Sequence, residues 1–204
     1  MLSALAARRP VFHSERDFQV AFAWEVQKAD PRMDVYLETR PASGVHLDLA
    51  FERRDLDCYT AIELKYFTAL WSGRVEGQLY DLTDQRAYDY GRYGVVKDIA
   101  RIETFIRPRP GSNGAVVVLT NEERYWKLWP NSNASDIAFH IGDGLVLEGK
   151  REWIRPPAQA KYREALELSG RYEMNWSEFS TFGAEFRVRQ LVIEVPGHPV
   201  PRAG

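Results

Sequence analysis

Two carboxylates and an ammonium fall close together in the stretch from Val45 to Tyr66. Two apolar, β-branched and aromatic runs, Val45–Glu52 and Cys58–Tyr66, are separated there by the charged turn residues Arg53 to Asp57. Runs of that composition on either side of a polar turn form a hairpin. Strand side chains alternate faces, so Glu63 and Lys65 point the same way, with Leu64 buried opposite. Asp48 sits on the neighbouring strand, where it can be brought alongside Glu63. Paired carboxylates offer hard oxygen ligands to Mg²⁺ or Mn²⁺, which takes few protein ligands and completes its shell with water and phosphate oxygens. Such an ion activates water and neutralises charge building on a phosphate under attack. The Lys65 ammonium can orient that water or stabilise the developing charge. Acid-x-Lys also occurs as a plain ion pair on half-solvated strands. Chemistry is favoured here because Ile62 and Leu64 flank Glu63 in a run suited to burial, where a charge is costly unless paired or metal-bound.

Asp48 followed by Glu63-Leu64-Lys65 resembles the PD-(D/E)xK, or restriction-endonuclease-like, nuclease superfamily. Its signature is an acidic residue near the end of one strand and acid-x-Lys on the next. Leu47 stands where the motif's name has Pro, a position that varies widely across the superfamily. The segment from Gln85 to Glu103, with Tyr90-Gly91-Arg92-Tyr93 and Lys97-Asp98-Ile99, looks like an uncharacterised bacterial branch of it. The resemblance implies an α/β (α+β) fold with a restriction-endonuclease-like core. That core is a central mixed β-sheet flanked by helices, with extra C-terminal strands and a helix. One domain would span 1–204, its nuclease-like core covering 12–120 and residues 121–204 elaborating it. The implied activity is metal-dependent hydrolysis of nucleic-acid phosphodiester bonds, with DNA as the expected partner. Asp48, Glu63 and the Leu64 carbonyl would hold Mg²⁺ or Mn²⁺, and Lys65 would position or activate water. Glu15 would serve a second metal or an outer-shell water. Gln19, His46, Gln85 and Arg86 would meet the substrate.

The elements that must position these residues follow in order. Ser14 to Lys28 is a helix capped by Ser14, with Phe18, Ala21, Phe22 and Val26 as its apolar stripe. Glu15 lies at its positive end, which by itself favours a carboxylate. A break at Ala29–Arg32 precedes a strand from Met33 to Arg40 and a turn at Pro41–Gly44, so three strands form an antiparallel meander. A small hairpin turns at Gly77. From Thr83 the chain leads into a helix ending near Arg107, with Val95, Ile99, Ile102 and Ile106 on one face and Lys97, Asp98, Arg101 and Glu103 on the others. After a Pro- and Gly-rich loop, Ala115–Thr120 reads as a strand buried on both faces and reached by a parallel crossover. Beyond it the patterning predicts a short helix within Asn121–Leu128 and a strand pair around Gly142-Asp143-Gly144. A helix within Pro156–Ser169, a long strand from Glu185 to Val195 and a loose tail from His198 follow. Trp126, Trp129, Trp153 and Trp176 read as core aromatics.

The 204 residues, 45% of them hydrophobic, can fill a sizeable core. A formal net charge of -2 gives no global basic field. It argues against coating nucleic acid, but not against an enzyme with a few basic residues at its site. The one cysteine, Cys58, has no internal partner and reads as a small core residue; the four histidines lack close metal-ligand spacing. The N-terminal run has its charges after its apolar residues, the wrong order for a secretory signal, and nothing approaches a membrane span. A cytoplasmic protein without membrane association is expected, and a homodimer is compatible with the sequence. Two alternatives stay open. One is a non-catalytic nucleic-acid- or protein-binding module on the same fold. The other is an unrelated α+β fold in which Glu63 and Lys65 form a simple ion pair.

Overall fold

The computed structural model describes residues 1–128, 133–183 and 186–197. A short helix α1 (Leu2–Arg8) leads to α2 (Glu15–Ala29), whose first turn is capped by Ser14 Oγ accepting from the Asp17 N–H at 3.2 Å. Phe18, Ala21, Phe22 and Val26 of α2 are buried, as the helical spacing predicts. β1 (Asp34–Ala42), β2 (Val45–Arg53) and β3 (Cys58–Phe67) form the expected antiparallel meander. A hairpin of β4 (Trp71–Val75) and β5 (Gln78–Leu82) follows, with Gly77 in its turn at φ +84.

The helix α3 (Tyr88–Ile106) crosses to β6 (Asn113–Thr120), which lies parallel to β3. β9 (Trp176–Phe182) and β10 (Phe186–Val195) complete an α+β fold around a mixed six-stranded sheet of order β1-β2-β3-β6-β10-β9. Alternation along β6 divides the interior into two layers. Val117 and Leu119 face α2 with Phe18, Phe22, Ile62 and Leu64, while Val116 and Val118 face α3 with Ala61, Ile99 and Ile102. Glu63 and Lys65 therefore project toward α3.

The C-terminal part departs from expectation. β7 (Val146–Arg151) pairs with β8 (Leu166–Glu173) rather than with the preceding segment. Ile137–Phe139 is a single 3₁₀ turn, so no strand pair forms around Gly142-Asp143-Gly144. The helix expected in Pro156–Ser169 is replaced by a 3₁₀ turn at Ala160–Tyr162 running into β8, and that within Asn121–Leu128 shrinks to a 3₁₀ turn at Glu123–Tyr125. Tertiary pairing overrides weak local helix preference in these segments. Trp153 and Trp176 are buried and Trp126 half-buried; Trp129 and the tail from His198 lie outside the described residues. Cys58 is half-buried rather than a core residue. Among the described residues, no helix is long and apolar enough to cross a membrane.

The crossover depends on a close approach at Gly114. A Cβ there would lie 2.4 Å from Ile102 Cγ2 and 2.7 Å from the Ala61 carbonyl oxygen. Gly114→Ala should push α3 off the sheet and lower stability by about 1–3 kcal/mol in urea denaturation. An unchanged midpoint and slope would contradict this packing.

Candidate active site

The β2–β3 ladder runs from Arg53 opposite Cys58 to Leu49 opposite Ile62 and stops there. Past that point the strand N–H groups of β3 on this side need other acceptors. The Leu64 N–H donates to Asp48 Oδ2 at 2.8 Å, and the Tyr66 N–H donates to Glu15 Oε2 at 2.9 Å. Two carboxylates thus line the notch where β2 leaves β3. The irregularity continues on the other side of β2. Glu38 falls where the β1–β2 register would place it opposite Asp48, and it sits in the left-handed region at φ +50. Leu47 and Leu49 are two residues apart, yet they join opposite cores, so β2 changes facing across Asp48. A strained non-glycine residue beside such a break commonly marks a site where geometry matters more than local comfort.

Glu38 also gathers three of its neighbours. Its carboxylate takes Gln19 Nε2 at 3.2 Å, His46 Nε2 at 3.1 Å and Arg16 at 3.4 Å. Gln19 Nε2 also lies 3.2 Å from the Asp48 carbonyl, which ties α2 to the turn in β2.

Beneath α3 lies a compact charge cluster. Glu63 is 1% exposed, and its Oε1 is 2.5 Å from Arg101. Lys65 Nζ is 2.8 Å from Asp98, 3.9 Å from Asp48 and 3.1 Å from the Leu64 carbonyl. Arg101 also reaches Asp98 at 2.8 Å. If every group is ionised, the carboxylates of Glu15, Asp48, Glu63 and Asp98 exceed the two cations by two negative charges. Burial, then Asp98 and Asp48, push Glu63 up to about 9 against the pull of Arg101 and Lys65. Burial also raises Glu15, despite Lys65 and the Tyr66 N–H. For Lys65, burial opposes the charge, but Asp98, Asp48 and Glu15 outweigh it and hold the ammonium above its ordinary value. Glu63 Oε1 and Asp98 Oδ2 are buried with no hydrogen bond aligned on them, close though their cationic neighbours are.

This donor set fits a hard divalent cation. Among the described residues, no group of three or more His, Cys, Asp or Glu forms a ready-made metal cage. Mg²⁺ needs only one or two carboxylates, the rest being water and phosphate oxygens. Asp48, Glu63 and the Leu64 carbonyl are the groups that could supply such ligands, in exchange for their present contacts with the Leu64 N–H, Arg101 and Lys65. The excess negative charge would suit such an ion, although Glu63 Oε1 and Asp98 Oδ2 are already paired with Arg101 and Lys65.

Asp48, Glu63, Leu64, Lys65 and Glu15 are brought together. Gln19 braces them from α2. His46 is exposed and turned to Glu38, so it borders the notch rather than the charge cluster. Gln85 and Arg86 precede α3 and share a surface cavity with Lys65, Arg86 being held by Asp84 at 2.7 Å. Asp98, Arg101 and Glu38 join the site although the sequence does not mark them as candidates. Residue type puts Asp98 and Arg101 on the outer sides of α3, yet Asp98 is buried and Arg101 spans two of the carboxylates. Asp98 lies three residues after Val95 and four before Ile102, inside the apolar stripe, and an acid there is a legible signal. Glu103, also read as outward, is buried and accepts from the Ser169 and Gly170 N–H groups and the Tyr172 hydroxyl. For Glu38 the decisive feature is its backbone, and glutamate does not announce a positive φ.

Compared with family models, curated proteins and solved structures, the chain matches none of them.

The charge excess has a measurable consequence. Folded Glu63 keeps its proton up to about 9, whereas an ordinary glutamate releases it near 4.5. The folded state therefore binds the extra proton across that window, so metal-free stability falls as pH rises through it. Glu15, also raised, adds in the same direction at the acid end. Urea denaturation in chelator at pH 6 and 8.5 should show this fall in the wild type and little of it in Glu63→Gln. An equal fall in both would assign the titration elsewhere.

Proposed function

We propose that this chain is a metal-dependent nuclease with a restriction-endonuclease-like core, hydrolysing nucleic-acid phosphodiester bonds at the notch between β2 and β3. The observation that carries the reading is the net-negative group of Glu15, Asp48 and the buried Glu63 around Lys65, at the point where the strand ladder stops. A divalent cation bound there would neutralise charge on the phosphate and activate the attacking water. The residues supply the rest. Asp48 and Glu63 hold the cation, and Glu15 and Gln19 fix the notch. Lys65 stays protonated because three carboxylates outweigh its burial, so it serves as a donor and positive charge rather than as a base. Asp98 is its positioning residue, holding the ammonium at 2.8 Å. The proposal includes membership of the PD-(D/E)xK superfamily, with DNA as substrate, the cytoplasm as location and a single domain; the motif and the geometry around Lys65 support it.

A second reading has its own support. Asp48 and Glu15 satisfy strand N–H groups, as structural carboxylates at a sheet edge would, which suits a non-catalytic nucleic-acid-binding module. Cleavage separates the two. Supercoiled plasmid, linear duplex, single-stranded DNA and RNA are incubated with Mg²⁺ or Mn²⁺, with and without chelator. We expect metal-dependent cutting of DNA, reduced on the order of a hundredfold or more in Lys65→Ala. Asp98→Asn should lower kcat with KM little changed and shift the alkaline limb of the pH profile, as loss of a positioning contact to Lys65 requires. Binding without cutting in every metal condition would favour the module, and cutting unaffected by Lys65→Ala would remove the role assigned to that residue.

A further inference from the structure

Beside Lys65, on the α3 side of the sheet, lies an open cavity of about 360 Å³. Its size is at the low end of the range that small-ligand sites occupy, room for one nucleotide rather than a duplex. Phe67 continues the face of β3 that carries Glu63 and Lys65, and it stacks on Tyr125 with ring centroids 4.3 Å apart. Tyr90 of α3 stacks on Tyr162 at 4.3 Å. Both stacked pairs line the cavity, and Lys65 and the exposed Arg86 add positive charge to it.

The floor holds the independent observation. Gly91 and Gly94 both lie in the interior of α3 and line the cavity, although glycine is among the least favourable helix residues. Gly91 has a packing reason, since a Cβ there would lie 2.3 Å from the Tyr125 hydroxyl. Gly94 has none, because a Cβ there would meet nothing within 4 Å. The space over Gly94 is the cavity itself, and the missing side chain keeps that space free.

We propose that this cavity is a subsite for one unpaired nucleobase of the substrate strand, seated on the α3 floor against the tyrosines, with its phosphate directed toward Lys65 and Arg86. Aromatic faces accept any base by stacking, and cations beside them attract the backbone, which is the chemistry of single-strand recognition. The inference deepens the nuclease reading and rests on it. The expected substrate is a single strand, or a duplex with unpaired nucleotides at the scissile bond, because a base still stacked in duplex cannot enter.

The test uses a fluorescein-labelled single-stranded oligonucleotide and its blunt duplex. Binding is read by anisotropy in chelator, cleavage in Mg²⁺. Wild type should favour the single strand. Gly94→Leu, which fills the cavity, should weaken single-strand binding on the order of tenfold or more and leave duplex binding unchanged. Gly94→Ala, well accommodated in the helix, controls for folding by its melting temperature, and Tyr162→Ala should weaken single-strand binding as Gly94→Leu does. Wild-type single-strand binding in Gly94→Leu overturns the subsite, and so does an equal loss for both probes. In either case, cutting that depends on metal and Lys65 keeps the nuclease reading. Single-strand binding sensitive to Gly94→Leu, without cutting in any metal, keeps the subsite and removes the nuclease.

Discussion

Four carboxylates gather around two cations, and the excess negative charge is costly because Glu63 and Asp98 among them are buried. In this chain the metal-free remedy is a proton held on Glu63 well above its ordinary range. Under the proposed reading a divalent cation would be the other remedy, and it would displace that proton. The same excess keeps Lys65 charged despite its burial. Ligand set, ammonium and pH dependence thus follow from one imbalance rather than from separate features.

The fold exists around that imbalance in a specific way. β3 is the central strand, and its two edges are treated differently. On one edge the parallel ladder to β6 runs unbroken from Thr60 to Phe67, which fixes Glu63 and Lys65 rigidly. On the other edge β2 departs after Leu49, and side-chain carboxylates replace the missing ladder acceptors. α3 then closes over the charged face, brought near by Gly114 and contributing Asp98 and Arg101. Of this cluster, Lys65 lines the surface cavity beside α3.

Much of this was legible in the sequence where a strong local signal agreed with the tertiary outcome. The Ser14 cap, the apolar stripe of α2, the meander, the parallel β6 and the gathering of Asp48, Glu63 and Lys65 follow from periodicity and motif. The C-terminal part was not legible, because β7 and β8 pair across a long connection and short segments such as Ile137–Phe139 have no decisive period. Asp98 departs from expectation for a different reason. Residue type sends a charged helix position outward, although the spacing of Asp98 between Val95 and Ile102 puts it on the packed face. The turn of β2 at Asp48 and the positive φ of Glu38 leave no mark in residue type. They arise only when three strands and α2 are assembled.

Calorimetric titration with Mn²⁺ in two buffers of different ionisation enthalpy, at pH 7, tests the central claim most directly, because it counts bound ions and released protons together. One high-affinity cation per chain is expected, with released protons approaching one per ion and loss of that proton release in Glu63→Gln. Absence of binding, or binding that releases no proton and is indifferent to Asp48→Asn and Glu63→Gln, would show that the cluster is a closed ion-pair network and contradict it.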